Sequence, residues 1–89
     1  MKLKFTAQAL HDLYRLRKFI AEKNPKAATK YSEKLLSTIR KLESNPMLGK
    51  ALEAELDGRE LIAGHYVIHY TMRDELIYIL KIWHGKEER

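Results

Sequence analysis

The spacing of apolar residues changes near Gly49 from the period of a helix to the period of a strand. Before this point apolar residues recur every three or four positions, and after it they alternate with polar ones. Helical segments followed by strand segments within one short chain are typical of an α+β fold. A chain of 89 residues is expected to form a single domain, here spanning residues 1–89.

Two amphipathic helices are predicted in the first half of the chain. The first begins after Thr6, whose hydroxyl suits a helix N-cap. It ends at Asn24-Pro25, because the residue before a proline is pushed out of helical geometry. The second helix begins at Pro25 and ends at Asn45-Pro46. Because the link between them is very short, the two helices are expected to form an antiparallel hairpin.

Strands are predicted at residues 3–5, 55–62, 65–71 and 76–83. The last is apolar on nearly both faces, which favours a central position covered on both sides. The predicted fold class is therefore α+β with the order βααβββ, a helical hairpin packed on a small antiparallel C-terminal sheet that the short first strand joins. Leu10 and Phe19 are expected to widen the apolar stripe of the first helix. The side chains predicted to be largely buried are Ala9, Leu13, Leu16, Ile20, Tyr31, Leu35, Ile39, Ile68, Leu80 and Ile82.

Charge is divided unevenly along the chain. Residues 1–50 carry a net charge of +8 and residues 51–89 carry −3, which gives +5 overall. A basic half favours an acidic partner, either nucleic acid or an acidic protein segment, although solvated helix surfaces explain the lysines equally well. The chain has no cysteine, no apolar run long enough to span a membrane and no signal-peptide core, so a soluble cytoplasmic protein is expected.

Three histidines in the second half raise the possibility of a metal site. His65 and His69 would lie roughly 13 Å apart along a strand, which is too far for two ligands of one zinc ion. Because no third ligand accompanies His84, neither a metal nor a cofactor is predicted.

Two other kinds of site are compatible with the strands. A metal-free ribonuclease could use histidines as acid and base with cations that stabilise phosphate charge, although the same side chains also suit exposed strand positions. These candidates are Arg59, His65, His69, Arg73, Lys81 and His84. Aromatic side chains could stack on RNA bases, but alternating aromatics in strands are more often packing pairs. These are Tyr66, Tyr70, Tyr78 and Trp83.

Taken in order, the motifs from residue 4 to about residue 87 resemble the RelE/ParE superfamily of toxins from bacterial type II toxin–antitoxin modules. The helical part of the resemblance rests on Phe5-Thr6, Asp12-Leu13, Pro25, Ala27-Ala28 and Gly49. The strand part rests on Gly58-Arg59-Glu60-Leu61, on Tyr66-Val67-Ile68 with the following His69-Tyr70, and on the segment from Ile79 to Lys86. The closing His84-Gly85-Lys86 is more similar to the ParE branch.

The resemblance to the ParE branch implies a cytoplasmic, growth-inhibiting toxin of the kind associated with plasmid stabilisation. Such a toxin inhibits DNA gyrase, is not a nuclease, needs no cofactor and is neutralised by a cognate antitoxin. Sequence-specific DNA binding would then be supplied by the antitoxin alone. The implied target-binding residues are Arg59, Trp83, His84 and Lys86, with a core position as the alternative for Trp83.

Two alternatives remain open at this stage. In the RelE branch the protein would be a ribosome-dependent mRNA endonuclease, in which Arg59 stabilises phosphate charge and His84 acts as general acid or base. The net charge of −3 on the second half is a poor match for an RNA-lined site. The other alternative is an orphan scaffold that kept the fold and lost the toxic activity.

Overall fold

The computed structural model of the chain describes residues 1–53 and 57–86. Its elements are β1 (Lys2–Phe5), α1 (Ala7–Lys23), α2 (Pro25–Arg40), a 3₁₀ turn (Lys41–Glu43), β2 (Lys50–Ala51), β3 (Gly58–Ala63), β4 (Tyr66–Arg73) and β5 (Leu76–His84). The predicted α+β order is confirmed, with the two-residue strand β2 as an addition. Residues 55 and 56 of the predicted second strand lie outside the described residues. No helix within the described ranges is long and apolar enough to cross a membrane.

Thr6, the predicted cap, and Asn24, the predicted end of the first helix, cap the starts of α1 and α2, whereas α2 ends at Arg40, before the predicted Asn45-Pro46. The Thr6 hydroxyl accepts a hydrogen bond from the amide of Ala9 at 3.1 Å, which satisfies one of the free amides at the start of α1. Asn24 has an extended backbone, and its side chain accepts from the amide of Ala27 at 3.2 Å. Its own amide donates to the carbonyl of Ile20 at 2.8 Å. Asn24 therefore ends α1 and caps α2, which gives the tight antiparallel hairpin.

The five strands form one mixed sheet in the order β1-β5-β4-β3-β2. The strands β3 to β5 pair antiparallel, as predicted, and the added β2 pairs antiparallel to β3. The strand β1 joins the sheet by pairing parallel to β5. The strand β5 is internal, since it lies between β1 and β4. The helical hairpin covers only one face of the sheet, so the expected double cover of β5 is wrong, and Tyr78 on its other face stays half-buried.

The core lies between the hairpin and the covered face of the sheet. Its buried apolar members are Ala9, Leu16, Ala28, Leu35, Ile39, Leu42, Leu61, Ile68, Tyr70, Ile77, Ile79 and Ile82. Six of the ten predicted core residues are buried, while Leu13, Ile20 and Leu80 are half-buried. Tyr31 is 50% exposed, so its predicted burial is wrong, and Leu10 and Phe19 are also exposed. The apolar stripes of the two helices are wider than the small sheet can cover.

A β-bulge in β5 changes which residues face the core. His69 of β4 lies opposite Lys81, but the next residue, Tyr70, lies opposite Ile79, so Leu80 is the extra residue. Alternation from the buried Ile79 would otherwise place Lys81 in the core. With the bulge Ile82 is buried and Lys81 is exposed.

Candidate functional site

Arg59, the first predicted site residue, supports a loop. The side chain is half-buried on the covered side of β3, where its Nε donates to the carbonyl of Gly49 at 2.9 Å. Its Nη2 lies 3.4 Å from the carbonyl of Met47. These two contacts hold the segment between the 3₁₀ turn and β2 against the sheet. The guanidinium therefore has a positioning role in the structure.

The buried Tyr70, which lies opposite Arg59 on β4, also holds this loop. Its hydroxyl donates to the carbonyl of Pro46 at 2.7 Å and accepts from the amide of Gly49 at 2.8 Å. A Cβ added at Gly49 would lie 2.6 Å from the Tyr70 ring and 2.8 Å from the carbonyl of Glu60, so only glycine fits this close approach. Tyr70, one of the four possible stacking aromatics, is thus a core residue.

His84 lies at the other end of the covered face. Its ring stacks on His65 with centroids 5.6 Å apart and meets Tyr66 edge-on at 5.4 Å. The Nδ1 atom accepts from the amide of Lys86 at 3.1 Å, which leaves Nε2 to carry the proton of the neutral ring. Arg59 lies opposite Tyr70 and His84 lies opposite Tyr66. The two residues are therefore separated by about 13 Å along β4, on opposite sides of that strand.

A groove of about 970 Å³ opens between the helical hairpin and the end of the sheet that carries His84. We refer to it as the helix–sheet groove. Its apolar lining includes Phe19 and Tyr31, which are 49% and 50% exposed. The lysines and histidines that line it are Lys23, Lys34, His65, His84 and Lys86, and no carboxylate within the described part of the chain lines it. The groove is thus an apolar surface with a basic rim.

The opposite face of the sheet is not covered by any described helix, and we refer to it as the uncovered sheet face. A polar row crosses four strands there, with Lys50 opposite Glu60, Glu60 opposite His69 and His69 opposite Lys81. His69 Nε2 lies 2.8 Å from Glu60 Oε2. The His69 ring also meets Trp83 edge-on at 4.6 Å. Trp83 is half-buried on this face and outside the core cluster, so the alternative of a core position for Trp83 is wrong.

The charge of the uncovered sheet face differs from that of the second half of the chain. Its exposed cations are Lys2, Lys4, Lys50, Arg73 and Lys81, and Glu60 is the acidic residue among the described strand positions on this face. Three of these cations belong to the first half of the sequence. Four other acids among the described residues of the second half lie in loops and turns, namely Glu53, Asp57, Asp74 and Glu75. The charge of −3 therefore misrepresents the sheet surface.

Asp12 is a structural residue that sequence reasoning did not single out beyond its place in the resemblance. It is 1% exposed, and its Oδ2 accepts from the amide of Ile82 at 2.9 Å. Its Oδ1 accepts from Gln8 at 2.9 Å and lies 3.6 Å from Arg15. Since β1 pairs only as far as Ile79, Asp12 satisfies the edge of β5 where β1 no longer runs beside it. In the sequence, the only indication of this structural role is that Asp12 is a single acidic residue among the apolar positions of a helix.

The histidines are arranged differently from the sequence expectation. His65 precedes β4, in the turn, and it contacts His84 on the covered side, whereas His69 lies on the uncovered sheet face. No group of three potential metal ligands occurs among the described residues.

Comparison with known proteins identifies relatives over nearly the whole chain. Residues 3–89 match the family model described as "ParE toxin of type II toxin-antitoxin system, parDE". Toxin RelE2 of Caulobacter vibrioides is 35% identical over 82 residues, covering 91% of this chain and 91% of that protein. Toxin RelE1 of the same organism is 27% identical over 86 residues, covering 94% and 92%.

Two solved structures share the fold. One is from the chromosomal ParDE toxin–antitoxin system of P. aeruginosa, with a TM-score of 0.84, 22% identity, and coverage of 94% of this chain and 95% of that chain. The other is from the toxin–antitoxin complex RelBE2 of Mycobacterium tuberculosis, with a TM-score of 0.66, 25% identity, and coverage of 93% and 95%.

Proposed function

The chain belongs to the ParE toxin family of type II toxin–antitoxin systems, and from that premise we propose that it inhibits DNA gyrase and is neutralised by a cognate antitoxin. The observation that carries this proposal is the family match over residues 3–89. The solved relatives named for ParDE and RelBE systems support an antitoxin partner. A cytoplasmic location and a role in plasmid stabilisation belong to the same proposal.

The helix–sheet groove is the proposed docking site for the antitoxin. Its exposed aromatics Phe19 and Tyr31 need an apolar partner, and its basic rim of Lys23, Lys34 and Lys86 favours an acidic one. An acidic, amphipathic segment that folds on binding satisfies both requirements. Once bound, this segment would cover Lys86 and the neighbouring His84, so docking and neutralisation would occur at one place.

The antitoxin proposal is tested by reversing charge on the rim. The double variant Lys23→Glu/Lys34→Glu should bind the cognate antitoxin about 10-fold more weakly at low salt, because two favourable charge contacts become repulsive. The matched control is Lys26→Glu/Lys30→Glu, which changes two exposed lysines of α2 that do not line the groove. Calorimetric titration would measure both affinities. Equal weakening by the two double variants would show that only overall charge matters and would contradict this docking site.

The proposed contact with gyrase uses the end of β5. Trp83 projects on the uncovered sheet face, while His84 and Lys86 line the groove side of the same strand end. Aromatic anchors beside charged groups are frequent at protein–protein hot spots. Arg59 lies at the other end of the sheet, where its proposed role is to hold the loop at Gly49 in place.

A ribosome-dependent mRNA endonuclease remains the second candidate. The names of the two RelE toxins among the relatives favour it, as does the hydrogen-bonded pair of His69 and Glu60 on the uncovered sheet face. The separation of about 13 Å along β4 argues against one active site built from Arg59 and His84.

One pair of assays separates the two targets. Purified toxin should inhibit gyrase supercoiling or trap cleaved DNA, and Trp83→Ala should weaken that effect. The 5′ ends of cellular mRNA, mapped after brief induction of the toxin, should remain unchanged. New cuts at codon-phased positions, abolished by His69→Ala or His84→Ala while gyrase is unaffected, would refute gyrase in favour of the endonuclease.

Growth measurement addresses the orphan-scaffold alternative. Induction in a bacterial host should arrest growth, and co-expression of the antitoxin should restore it. Undisturbed growth at a confirmed level of folded protein would instead support a scaffold without toxic activity.

A further inference from the structure

The uncovered sheet face carries a concentration of positive charge. Five exposed cations lie on it, two from β1 and one each from β2, β4 and β5, against the single acid Glu60 among its described strand residues. Glu60 is hydrogen-bonded to His69, and none of the five cations forms an ion pair with any residue that the structure describes. The cations are Lys2, Lys4, Lys50, Arg73 and Lys81.

Protection of sheet edges explains only part of this charge. Lysines on edge strands discourage pairing with other chains, and this accounts for the lysines of β1 and β2. Lys81 lies on the part of β5 that extends past β1, so edge protection applies to it as well, but Arg73 lies on the internal strand β4, where no edge needs protection. The bulge at Leu80 places Lys81 on this face, since uninterrupted alternation would direct it into the core.

The dimensions of the patch suit a polyanion. Lys50 and Lys81 are three strand spacings apart, which is about 14 Å, and Arg73 is about 13 Å along β4 from the row that contains them. With Glu60 and the adjoining Asp74 and Glu75 counted, five cations against three acids leave a net charge of +2, which attracts a phosphate backbone. Exposed apolar surface is found in the row of Ile62, Val67 and Trp83 at one end, and polar residues run across the middle of the face, so an apolar protein partner fits the face as a whole less well.

The shape of the face favours duplex DNA over a single strand. Binding of single strands uses aromatic side chains as stacking platforms. Here Tyr78 and Trp83 are both half-buried, and they lie in different rows of the sheet. Within the described residues no helix rises from this face to enter a groove and read bases, so contacts to phosphates alone are expected.

We infer that the uncovered sheet face binds duplex DNA directly and without sequence preference, so that the toxin contacts the DNA segment held by gyrase as well as the enzyme. The part of this inference that concerns DNA held by gyrase rests on the proposed function, whereas DNA binding by this face does not. Such binding is separate from the sequence-specific binding expected of an antitoxin. The helix–sheet groove lies on the other side of the sheet, so an antitoxin segment in the groove would leave the DNA-binding face accessible.

The inference is tested by fluorescence anisotropy with a labelled 20-base-pair duplex at several salt concentrations. If each of the five cations neutralises one phosphate, log K should fall with log salt with a slope of about −4.5, or about 500-fold in affinity between 50 and 200 mM salt. The variant Arg73→Gln/Lys81→Gln should reduce the slope to about −2.7. The control Lys26→Gln/Lys30→Gln, on the exposed surface of α2, should leave it unchanged. Circular dichroism checks that both variants are folded.

The outcomes separate the inference from the proposed function. Absence of duplex binding at 50 mM salt, equal loss of slope in both variants, or tighter binding of single-stranded RNA of the same length would overturn the inference. Inhibition of supercoiling by a toxin that does not bind duplex DNA would leave the gyrase proposal standing without the DNA contact. Salt-dependent DNA binding by a toxin that does not affect gyrase would support the inference and refute the gyrase target.

Discussion

We expect removal of the Tyr70 hydroxyl to lower the free energy of unfolding substantially, because this one oxygen atom bonds two backbone groups. The variant Tyr70→Phe keeps the buried ring but removes the acceptor for the amide of Gly49 and the donor to the carbonyl of Pro46. Each of these backbone groups then loses its partner at a buried or half-buried position, at a cost of about 1–3 kcal/mol. For the two groups together we expect a loss of about 2–6 kcal/mol in the free energy of unfolding.

Urea denaturation followed by circular dichroism would measure this loss. For a chain of this size the melting temperature should fall by at least about 8 °C. The matched control is Tyr14→Phe, which removes the same hydroxyl from a side chain that is 69% exposed, and it should change stability by less than about 0.5 kcal/mol. If Tyr70→Phe were as stable as Tyr14→Phe, the claim that this hydroxyl holds the loop at Gly49 would be refuted.

Two further predictions concern the contacts between the hairpin and the sheet. Asp12→Ala should lower the free energy of unfolding by about 2–3 kcal/mol, because the buried amide of Ile82 loses its acceptor, and denaturant titration would measure this. Leu35→Ala should cost about 2–5 kcal/mol because the side chain is 5% exposed. Leu80→Ala should cost only about 1 kcal/mol, because Leu80 is half-buried in the bulge, and the same titration compares the two.

Each of these substitutions has its own check. The exposed acid Glu22 on the same helix serves as the control for Asp12, and Glu22→Ala should be within about 0.5 kcal/mol of the wild type. Similar losses from Asp12→Ala and Glu22→Ala would argue that α1 does not complete the edge of β5. If Leu80→Ala lowered the free energy of unfolding more than Leu35→Ala, the location of the core between the hairpin and the covered face would be contradicted.

The helices were predictable because their signals are local. Thr6 and Asn24 cap helices through atoms three residues away, so the sequence around them contains the whole interaction. The strand β2 was not predictable in this way. It is two residues long and depends on Arg59 and Tyr70, which approach Gly49 from distant parts of the chain.

The errors in the predicted core have a common cause. Helical periodicity shows which face of a helix is apolar, but it does not show how much of that face the sheet can cover. Tyr31 and Phe19 are about half exposed and line the groove instead. The bulge at Leu80 has no sequence signature of its own, so the orientations of Leu80 and Lys81 depended on the pairing with β4.

The candidate site was predictable residue by residue but not as a surface. Trp83, His84 and Lys86 do lie together at the end of β5, yet alternation places Trp83 and His84 on opposite faces. Net charge per half of the sequence also failed to describe the sheet, because β1 and β2 bring three lysines to it. The charge that a partner meets is the charge on one face of the sheet, and the residues of that face are known only once the strand order is known.

The pairing of β1 with β5 determines when the molecule can finish folding during its synthesis. Lys2 lies opposite Leu76, so the first strand has no partner in the sheet until the last has been made. At roughly 5–20 residues per second, translation delivers that partner about 4–15 s later. Until then the carboxylate of Asp12 also lacks the amide that it binds in the folded chain. A nascent chain stopped before β5 would lack His84 and Lys86 of the helix–sheet groove and Lys81 of the uncovered sheet face, so an interrupted round of translation should release a harmless fragment.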